Sequence, residues 1–278
     1  MPLHDVENRT IKNVKRCCRQ EKSAGRHGVL LLWIGLFVLV GGRDDVQAVG
    51  VTGAAVPCPS VSYHILWNGV PAGKAVLQCV RTADRCLVQL EGETHAFLSS
   101  VYPMKIKAES RVLADGTASV EYREKIREGR KKEKTELLLF DRDPDKVEVF
   151  KNGKFRRTLH VLPETMDPLG GLYRFLGNFQ RAPASCLIRV TDGRRVFEVQ
   201  MKPLEREEIR TPLGTRPAQV WRAEVRVVSG KPHVLEKSPM HVWMSEGTSA
   251  VLLKAEATLP YGDFSALIQG ITGPQVAN

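Results

Sequence analysis

The sequence predicts an all-β fold with one short helix, in which a curved antiparallel sheet forms an open barrel or a two-sheet sandwich. Turn signals recur every ~10–15 residues along most of the chain, which is typical of antiparallel strands. Runs rich in Val, Leu and Trp lie between them, most clearly at Met240–Met244 and Ala250–Leu259. A lone meander of strands cannot bury both faces, so the rest of the chain must supply a partner surface.

Individual strands follow from the local pattern. Asn68-Gly69 and Asn152-Gly153 are strong signals for two-residue hairpin turns. Ser119–Arg127 alternates between apolar and charged residues, which indicates a strand with one buried face and one wet face. The other extended runs are Ser62–Trp67, Lys74–Val80, Arg85–Glu91, Tyr102–Ala114, Glu133–Phe140, Val147–Phe150, Cys186–Val190, Val196–Met201 and Gln219–Val228.

The helix is predicted within Pro163–Gly177, where Asp167 is placed to cap it and Pro168 suits its first turn. Its apolar stripe recurs at i, i+3, i+4 and i+7 and consists of Leu169, Leu172, Tyr173 and Leu176. We expect Leu172, Tyr173 and Leu176 to contact the concave face of the sheet and to bound any ligand cavity there.

Two glycines, Gly170 and Gly171, interrupt this helix, and each costs ~1 kcal/mol relative to Ala. Alanine at both positions is therefore expected to stabilise it. The segment is either a permanent plug of the core or a lid that a ligand displaces.

The N-terminal 48 residues have the pattern of a secretory signal. Basic residues precede the apolar run Val29–Val40, and Val46-Gln47-Ala48 offers small residues for cleavage. The apolar run is shorter than the ~20 residues of a spanning helix, but the basic leader is unusually long. The start codon therefore lies downstream, or an uncleaved segment at residues 29–42 anchors the protein in the inner membrane. We predict export to the periplasm, a linker at residues 49–60, one β domain at residues 61–270 and a tail at residues 271–278.

The composition is that of an ordinary globular protein, with 42% hydrophobic and 26% charged residues. The net charge of +10 favours anionic partners, although a soluble protein of high isoelectric point has the same composition. A basic run at the turn after Ser119–Arg127, including Arg130, Lys131 and Lys132, is predicted either to contact an anionic membrane surface or to protect a strand edge. Aromatic residues are few and not interleaved with basic ones, so we predict no binding of nucleic acid.

Signatures of enzymes are missing from the sequence. It contains no G-x-S-x-G, H-E-x-x-H, P-loop or G-x-G-x-x-G pattern. Its histidines after residue 60 are scattered singly, without the spacing of a metal site. The carboxylates Glu205, Glu207 and Glu208 are neighbours on one strand, which favours a solvated face over an acid–base pair. We therefore predict no catalytic residues, no metal and no cofactor.

Four cysteines follow the signal segment, an even number that permits disulfides in an exported protein. If Leu77 pairs with Val88 across a hairpin, the same register places Cys79 opposite Cys86, within the distance that a disulfide needs. We expect a Cys79–Cys86 disulfide, with two packed thiols as the alternative. Cys58 and Cys186 would then form the second bond.

Several segments together resemble a known family. They occur in the order YHILWNGVPAGKAVLQ, DPLGGLYRFLG, TDGRRVFEV, RTPLGTRPAQVWR and HVWMSEGTSAVLLKAEATLPYGDFSALI, between about Val61 and Ile268. This set is similar to the exported bacterial proteins of domain-of-unknown-function family 3108. The resemblance implies a secreted, β-rich envelope protein and brings no assigned reaction. The long basic leader and the four cysteines depart from the family pattern.

The function predicted from these observations is non-enzymatic binding of an apolar ligand, such as a lipid or an acyl chain, or assistance in outer-membrane assembly. One alternative is a scaffold protein with a filled core, and another is an envelope hydrolase. A carrier needs an apolar cavity of ~300 Å³ or more, whereas a scaffold needs an exposed apolar patch.

Overall fold

A computed structural model of the protein describes residues 56–57, 59–99, 102–140, 145–179, 185–246, 250–260 and 262–273. The strands are β1 Val56–Pro57, β2 Ser60–Trp67, β3 Val70–Arg81, β4 Arg85–Thr94, β5 Met104–Leu113, β6 Ser119–Glu128, β7 Lys134–Phe140, β8 Lys146–Lys151, β9 Lys154–His160, β10 Thr165–Met166, β11 Cys186–Thr191, β12 Val196–Thr211, β13 Gly214–Ser229, β14 Met240–Ser245, β15 Leu252–Leu259 and β16 Gly262–Thr272. The helices are α1 Ala96–Ser99, α2 Pro168–Phe179 and a 3-10 turn at Val234–Lys237.

These strands form one sheet in the order β10-β11-β12-β13-β14-β15-β16-β2-β3-β4-β5-β6-β7-β8-β9, with β1 off this order beside β3. Neighbours are antiparallel except β10 and β11, which are parallel. Strands β2 to β9 and β11 to β16 are therefore two meanders, and the pairing of β16 with β2 joins them. The prediction of an all-β fold with a curved antiparallel sheet is confirmed.

Alternation of side chains places the core on one face of this sheet. In β2, Val61, Tyr63, Ile65 and Trp67 are buried, and the residues between them are more exposed. The predicted Asn-Gly turns connect β2 to β3 and β8 to β9, and both their residues have positive φ, as a tight hairpin turn requires. Strand β1 lies within the predicted linker, and β16 ends at Thr272, inside the predicted tail.

The sheet curves but does not close, because β9 and β10 at its two ends are not paired with each other. Arg157 of β9 nevertheless donates a hydrogen bond of 2.5 Å to the carbonyl oxygen of Gly193, in the turn between β11 and β12. A Cβ atom on Gly193 would lie 2.7 Å from Leu138 and 3.5 Å from Val149, on β7 and β8. The two ends of the sheet therefore touch through side chains without sharing a strand ladder.

Helix α2 lies inside the curve and contacts β4 and β5 on one side and β11 on the other. Asp167 caps it as predicted: its Oδ1 accepts hydrogen bonds from the backbone N–H groups of Leu169 and Gly170, both at 2.9 Å. Its Oδ2 accepts from the hydroxyls of Ser110 at 2.6 Å and Ser119 at 2.5 Å. This buried carboxylate thus fixes the start of the helix to β5 and β6.

Gly170 and Gly171 allow the helix to lie directly against the sheet. A Cβ atom on Gly170 would lie 2.5 Å from the Ser119 hydroxyl and 2.9 Å from Oδ2 of Asp167. A Cβ atom on Gly171 would lie 2.5 Å from a methyl group of Val190. The expectation that alanine at these positions stabilises the helix is wrong. It considers only helix propensity, whereas a methyl group at either position would collide with β6 or β11.

The N-terminal segment that includes the predicted signal and its possible anchor lies outside the described residues. Within the described ranges, no helix is long and apolar enough to cross a membrane.

Gly170→Ala and Gly171→Ala should each lower the free energy of unfolding, by about 1–3 kcal/mol, because the added methyl group overpacks a tight contact. Gly177→Ala is the matched control: it lies in the same helix, and a Cβ atom there would meet nothing within 4 Å. The control should be neutral or stabilise by up to ~1 kcal/mol. Urea denaturation measures all three variants, and stabilisation by either of the first two would contradict the packing described.

Candidate functional site

An apolar cavity lies between helix α2 and the inner face of strands β11 to β15. Its volume is about 150 Å³. It is lined by Pro168, Gly171, Leu172, Phe175, Ile188, Val190, Thr191, Asp192, Phe197, Val199, Met201, Ala223, Val225, Leu235, Met240, Val242 and Leu252.

The wall of this cavity is almost entirely apolar. Its two polar side chains, Thr191 and Asp192, are engaged by their own turn. The Thr191 hydroxyl donates to the carbonyl oxygen of Arg195 at 2.7 Å, and Oδ1 of Asp192 accepts from the backbone of Arg194 and Arg195. Oδ2 of Asp192 pairs with the Arg195 guanidinium at 3.1 Å. The cavity therefore suits an apolar molecule and offers little to a polar one.

Helix α2 and the 3-10 turn close the cavity from two sides. Phe175 packs edge to face on Trp221, with ring centroids 5.5 Å apart, and both rings are buried. Leu235 of the 3-10 turn covers another part of the wall. That turn is held by a capping box, in which His233 Nδ1 accepts from the Leu235 N–H and the Glu236 carboxylate accepts from the His233 N–H.

The three residues predicted to bound a ligand cavity contact different parts of the protein. Leu172 lines the cavity, whereas Tyr173 and Leu176 do not. The Tyr173 hydroxyl donates to the carbonyl oxygen of Ala114 at 3.2 Å, and its ring covers Gly116 on the side of β5. Leu176 packs against the core outside the cavity.

The residue that the sequence argument missed is Phe175. It belongs to a second stripe, Pro168, Gly171, Leu172 and Phe175, which has the same i, i+3, i+4, i+7 spacing as the predicted one. A glycine in that stripe concealed it, since glycine has no side chain to count as apolar.

The basic residues Arg130, Lys131 and Lys132 are exposed and lie in the connection between β6 and β7. Lys131 lies 3.6 Å from the buried carboxylate of Glu128, which Lys134 also approaches at 3.2 Å. These two lysines are therefore partly neutralised. Arg130 and Lys132 have no ion-pair partner among the described residues.

The predicted Cys79–Cys86 disulfide is wrong. Cys86 is a buried free thiol, and Cys79 lies opposite Val88 in the β3–β4 ladder. Thr82 accounts for the shift: its backbone and side chain both bond to Arg85, which makes a short turn and extends the ladder to Arg81 and Cys86.

The other predicted disulfide is also wrong, because Cys186 is a free thiol; Cys58 lies outside the described residues. Cys79 is itself disulfide-bonded, so its partner is neither Cys86 nor Cys186.

A buried carboxylate and a half-buried one face each other inside the curve of the sheet. Glu124 of β6 lies directly opposite Glu136 of β7 on the inner face. Glu124 accepts a hydrogen bond from the Tyr122 hydroxyl at 2.9 Å, and Oε2 of Glu136 pairs with Lys151 at 2.9 Å. Oε1 of Glu136 is buried with no hydrogen-bond partner among the described residues. Burial, followed by the charge of Glu136, raises the pKa of Glu124 to about 7.

Neither of these carboxylates lines the cavity. We therefore expect the pair to affect the stability of the fold and not the binding of a ligand in the cavity. The described residues also contain no group of three or more His, Cys, Asp or Glu side chains placed to hold a metal ion.

Stability should depend on pH through Glu124. The folded protein retains the Glu124 proton up to about pH 7, whereas the unfolded chain releases it near 4.5. The free energy of unfolding therefore falls as the pH rises through this interval, by on the order of 3 kcal/mol. Glu124→Gln should flatten this dependence and be more stable than the wild type at pH 8, because its amide can donate to the free Oε1 of Glu136.

The exposed Glu205→Gln is the matched control for this substitution and should follow the wild-type profile. Urea denaturation at several pH values measures all three proteins. A loss of stability in Glu124→Gln at every pH would show that the carboxylate is a net stabilising group.

Comparison with models of protein families identifies the family of the chain. A family model described as "Protein of unknown function (DUF3108)" matches residues 62–269. The chain belongs to this family. The resemblance seen in the sequence is thereby confirmed, and the family description names no reaction. Comparison with curated protein sequences finds no match for this DUF3108 protein.

A solved structure shows a similar fold. It is a crystal structure of a "Beta-barrel-like Protein of Domain of Unknown Function DUF1849 from Brucella abortus". The two chains are 12% identical, with a TM-score of 0.53, and the match covers 78% of the DUF3108 chain and 97% of the Brucella chain. This likeness concerns the barrel-like fold alone.

Proposed function

We propose that this DUF3108 protein is an exported, non-enzymatic protein of a Gram-negative cell envelope that binds an apolar ligand between helix α2 and the sheet. The observation that carries the proposal is the cavity itself, with its nearly continuous apolar wall. A partly open apolar space of this kind gains free energy when an apolar group fills it and displaces water from its wall.

The size of the cavity limits what it holds without rearrangement. About 150 Å³ is the volume of an engineered protein cavity that binds benzene, and it is below the ~300 Å³ typical of pockets for larger ligands. The end of an acyl chain fits this space, but a whole chain does not. A longer ligand therefore requires the helix to move away from β11, which is the lid interpretation of the helix.

Small apolar probes test the cavity directly. The wild-type melting temperature should rise with benzene, because a ligand that binds only the folded state stabilises it, by about 2.7 kcal/mol at a concentration of 100 Kd. Ala223→Leu adds three carbons inside the cavity and should abolish this rise. Leu172→Ala enlarges the cavity and should admit naphthalene, at a loss of about 2–5 kcal/mol in stability.

Leu169→Ala is the matched control, since Leu169 is buried on the same helix but faces away from the cavity. It should lose similar stability and respond to benzene like the wild type. If the wild type responds neither to benzene nor to a fluorescent fatty acid, ligand binding is rejected, and a scaffold with a filled core is the better description.

The export part of the proposal has two supports. One is the signal-like pattern around Val29–Val40. The other is the disulfide of Cys79, because disulfides persist mainly in oxidising compartments.

A fusion of residues 1–60 to alkaline phosphatase should be active in a Gram-negative host. The matched control, Leu32→Arg with Leu36→Arg, interrupts the apolar run and should inactivate the fusion. Peptide mapping of the exported protein without reduction should find Cys79 joined to Cys58, since Val80 pairs with Pro57 and each is adjacent to one of those cysteines. An inactive wild-type fusion would remove the export proposal.

A further inference from the structure

The outer face of strands β5 to β9 combines a cluster of positive charges with a row of apolar side chains that includes the exposed Phe155. On this face, Lys105 lies directly opposite Arg127, and Lys107 lies directly opposite Lys125. Like charges in directly opposed positions of an antiparallel pair are destabilising. Lys107 is neutralised by Glu91, and Lys105 lies opposite Glu93 of β4 and interacts with its charge, whereas Lys125 and Arg127 have no ion-pair partner among the described residues.

An apolar row lies beside these cations. Leu137 of β7 is opposite Phe150 of β8, and Phe150 is opposite Phe155 of β9. The two rings pack edge to face with centroids 5.6 Å apart, and Phe155 is 54% exposed. None of the three side chains packs against the core, so this row faces outward.

The cations and the rings lie close enough to meet one surface together. Neighbouring strands are about 4.8 Å apart, so β6 and β8 are about 10 Å apart. The row of Leu137 and Phe150 meets β6 at Arg123, and Lys125 and Arg127 lie about 7 and about 13 Å further along that strand. Strand β9 also ends the sheet order, and no strand covers its outer edge in the part of the chain that the structure describes. The exposed ring of Phe155 on that strand can therefore approach a flat surface without steric hindrance from a neighbouring strand.

We propose that this basic-aromatic face, defined by Lys105, Lys125, Arg127, Leu137, Phe150 and Phe155, docks on the anionic surface of a lipid bilayer. Charge complementarity favours this partner, because each basic side chain near an anionic lipid surface contributes to binding. The apolar row distinguishes a bilayer from a polyanion: the exposed Phe155 and the half-buried Leu137 and Phe150 gain free energy when their accessible surface leaves water for the boundary between headgroups and acyl chains. The connection with Arg130 and Lys132 extends the same positive region. The proposal does not depend on the cavity.

Binding of the full chain to vesicles of phosphatidylglycerol and to vesicles of phosphatidylcholine tests the proposal. The wild type should prefer the anionic vesicles, and this preference should weaken at high salt. Lys125→Glu with Arg127→Glu should reduce the affinity for anionic vesicles more than about tenfold. Phe155→Ser should reduce it about tenfold, and because Phe155 is exposed this variant should fold normally.

Arg210→Glu with Arg216→Glu is the matched control, with the same change in charge on two exposed residues of the β12–β13 hairpin. It should keep the wild-type affinity. If the apolar run Val29–Val40 also binds vesicles, it does so equally in all variants and with both kinds of vesicle, so the comparisons between them are unaffected.

Hydrogen exchange supplies a readout confined to the proposed face. Anionic vesicles should slow exchange in a peptide that contains β9 and leave the tip of the β12–β13 hairpin unchanged. Absence of a preference for anionic vesicles, unchanged exchange in β9, or an equal loss of affinity in the control would each overturn the proposal. Binding to duplex DNA that Phe155→Ser leaves intact, without binding to vesicles, would instead identify a polyanion site and also overturn it.

Discussion

The contact on which the rest of the structure depends is the one between helix α2 and the inner face of the sheet. Asp167 is buried and accepts four hydrogen bonds, two from its own helix and two from Ser110 and Ser119. Gly170 and Gly171 bring the helix backbone against β6 and β11. With the helix fixed in this way, the space that remains towards β11 to β15 is the cavity, so the position of the cavity follows from how the helix is held.

Local signals were sufficient to predict the strands, the Asn-Gly turns and the cap at Asp167, because each depends on neighbouring residues. The pairing of Cys79 was not predictable in the same way. A register shift of one residue exchanges the buried and exposed faces of a strand, but a shift of two leaves them unchanged. The apolar pattern of β3 and β4 therefore fits both registers, and the turn at Thr82 decides between them.

The role of Gly170 was hidden for a related reason. Its neighbours in space, Ser119 and Val112, are about fifty residues away in the sequence, and helix propensity contains no information about them. The sequence also leaves open which side of the helix faces the cavity, because the stripe that contains Tyr173 and the stripe that contains Phe175 have equal spacing and share Leu172. Only the tertiary contact shows that Phe175 faces the cavity and Tyr173 faces β5.

The joint between β2 and β16 has a consequence for how the protein reaches its native state. The hydroxyl of Ser62 bonds to the carbonyl oxygen of Gly270 across this joint, a separation of 208 positions. Contacts so distant in sequence are slow to form, because the entropy of a long loop is lost before the contact contributes. One edge of β2 therefore stays unpaired until β16 has emerged from the ribosome. During that interval β2 can pair with strands of other chains. Biogenesis of this fold thus favours a pathway in which the nascent chain is kept extended until its C-terminus is available.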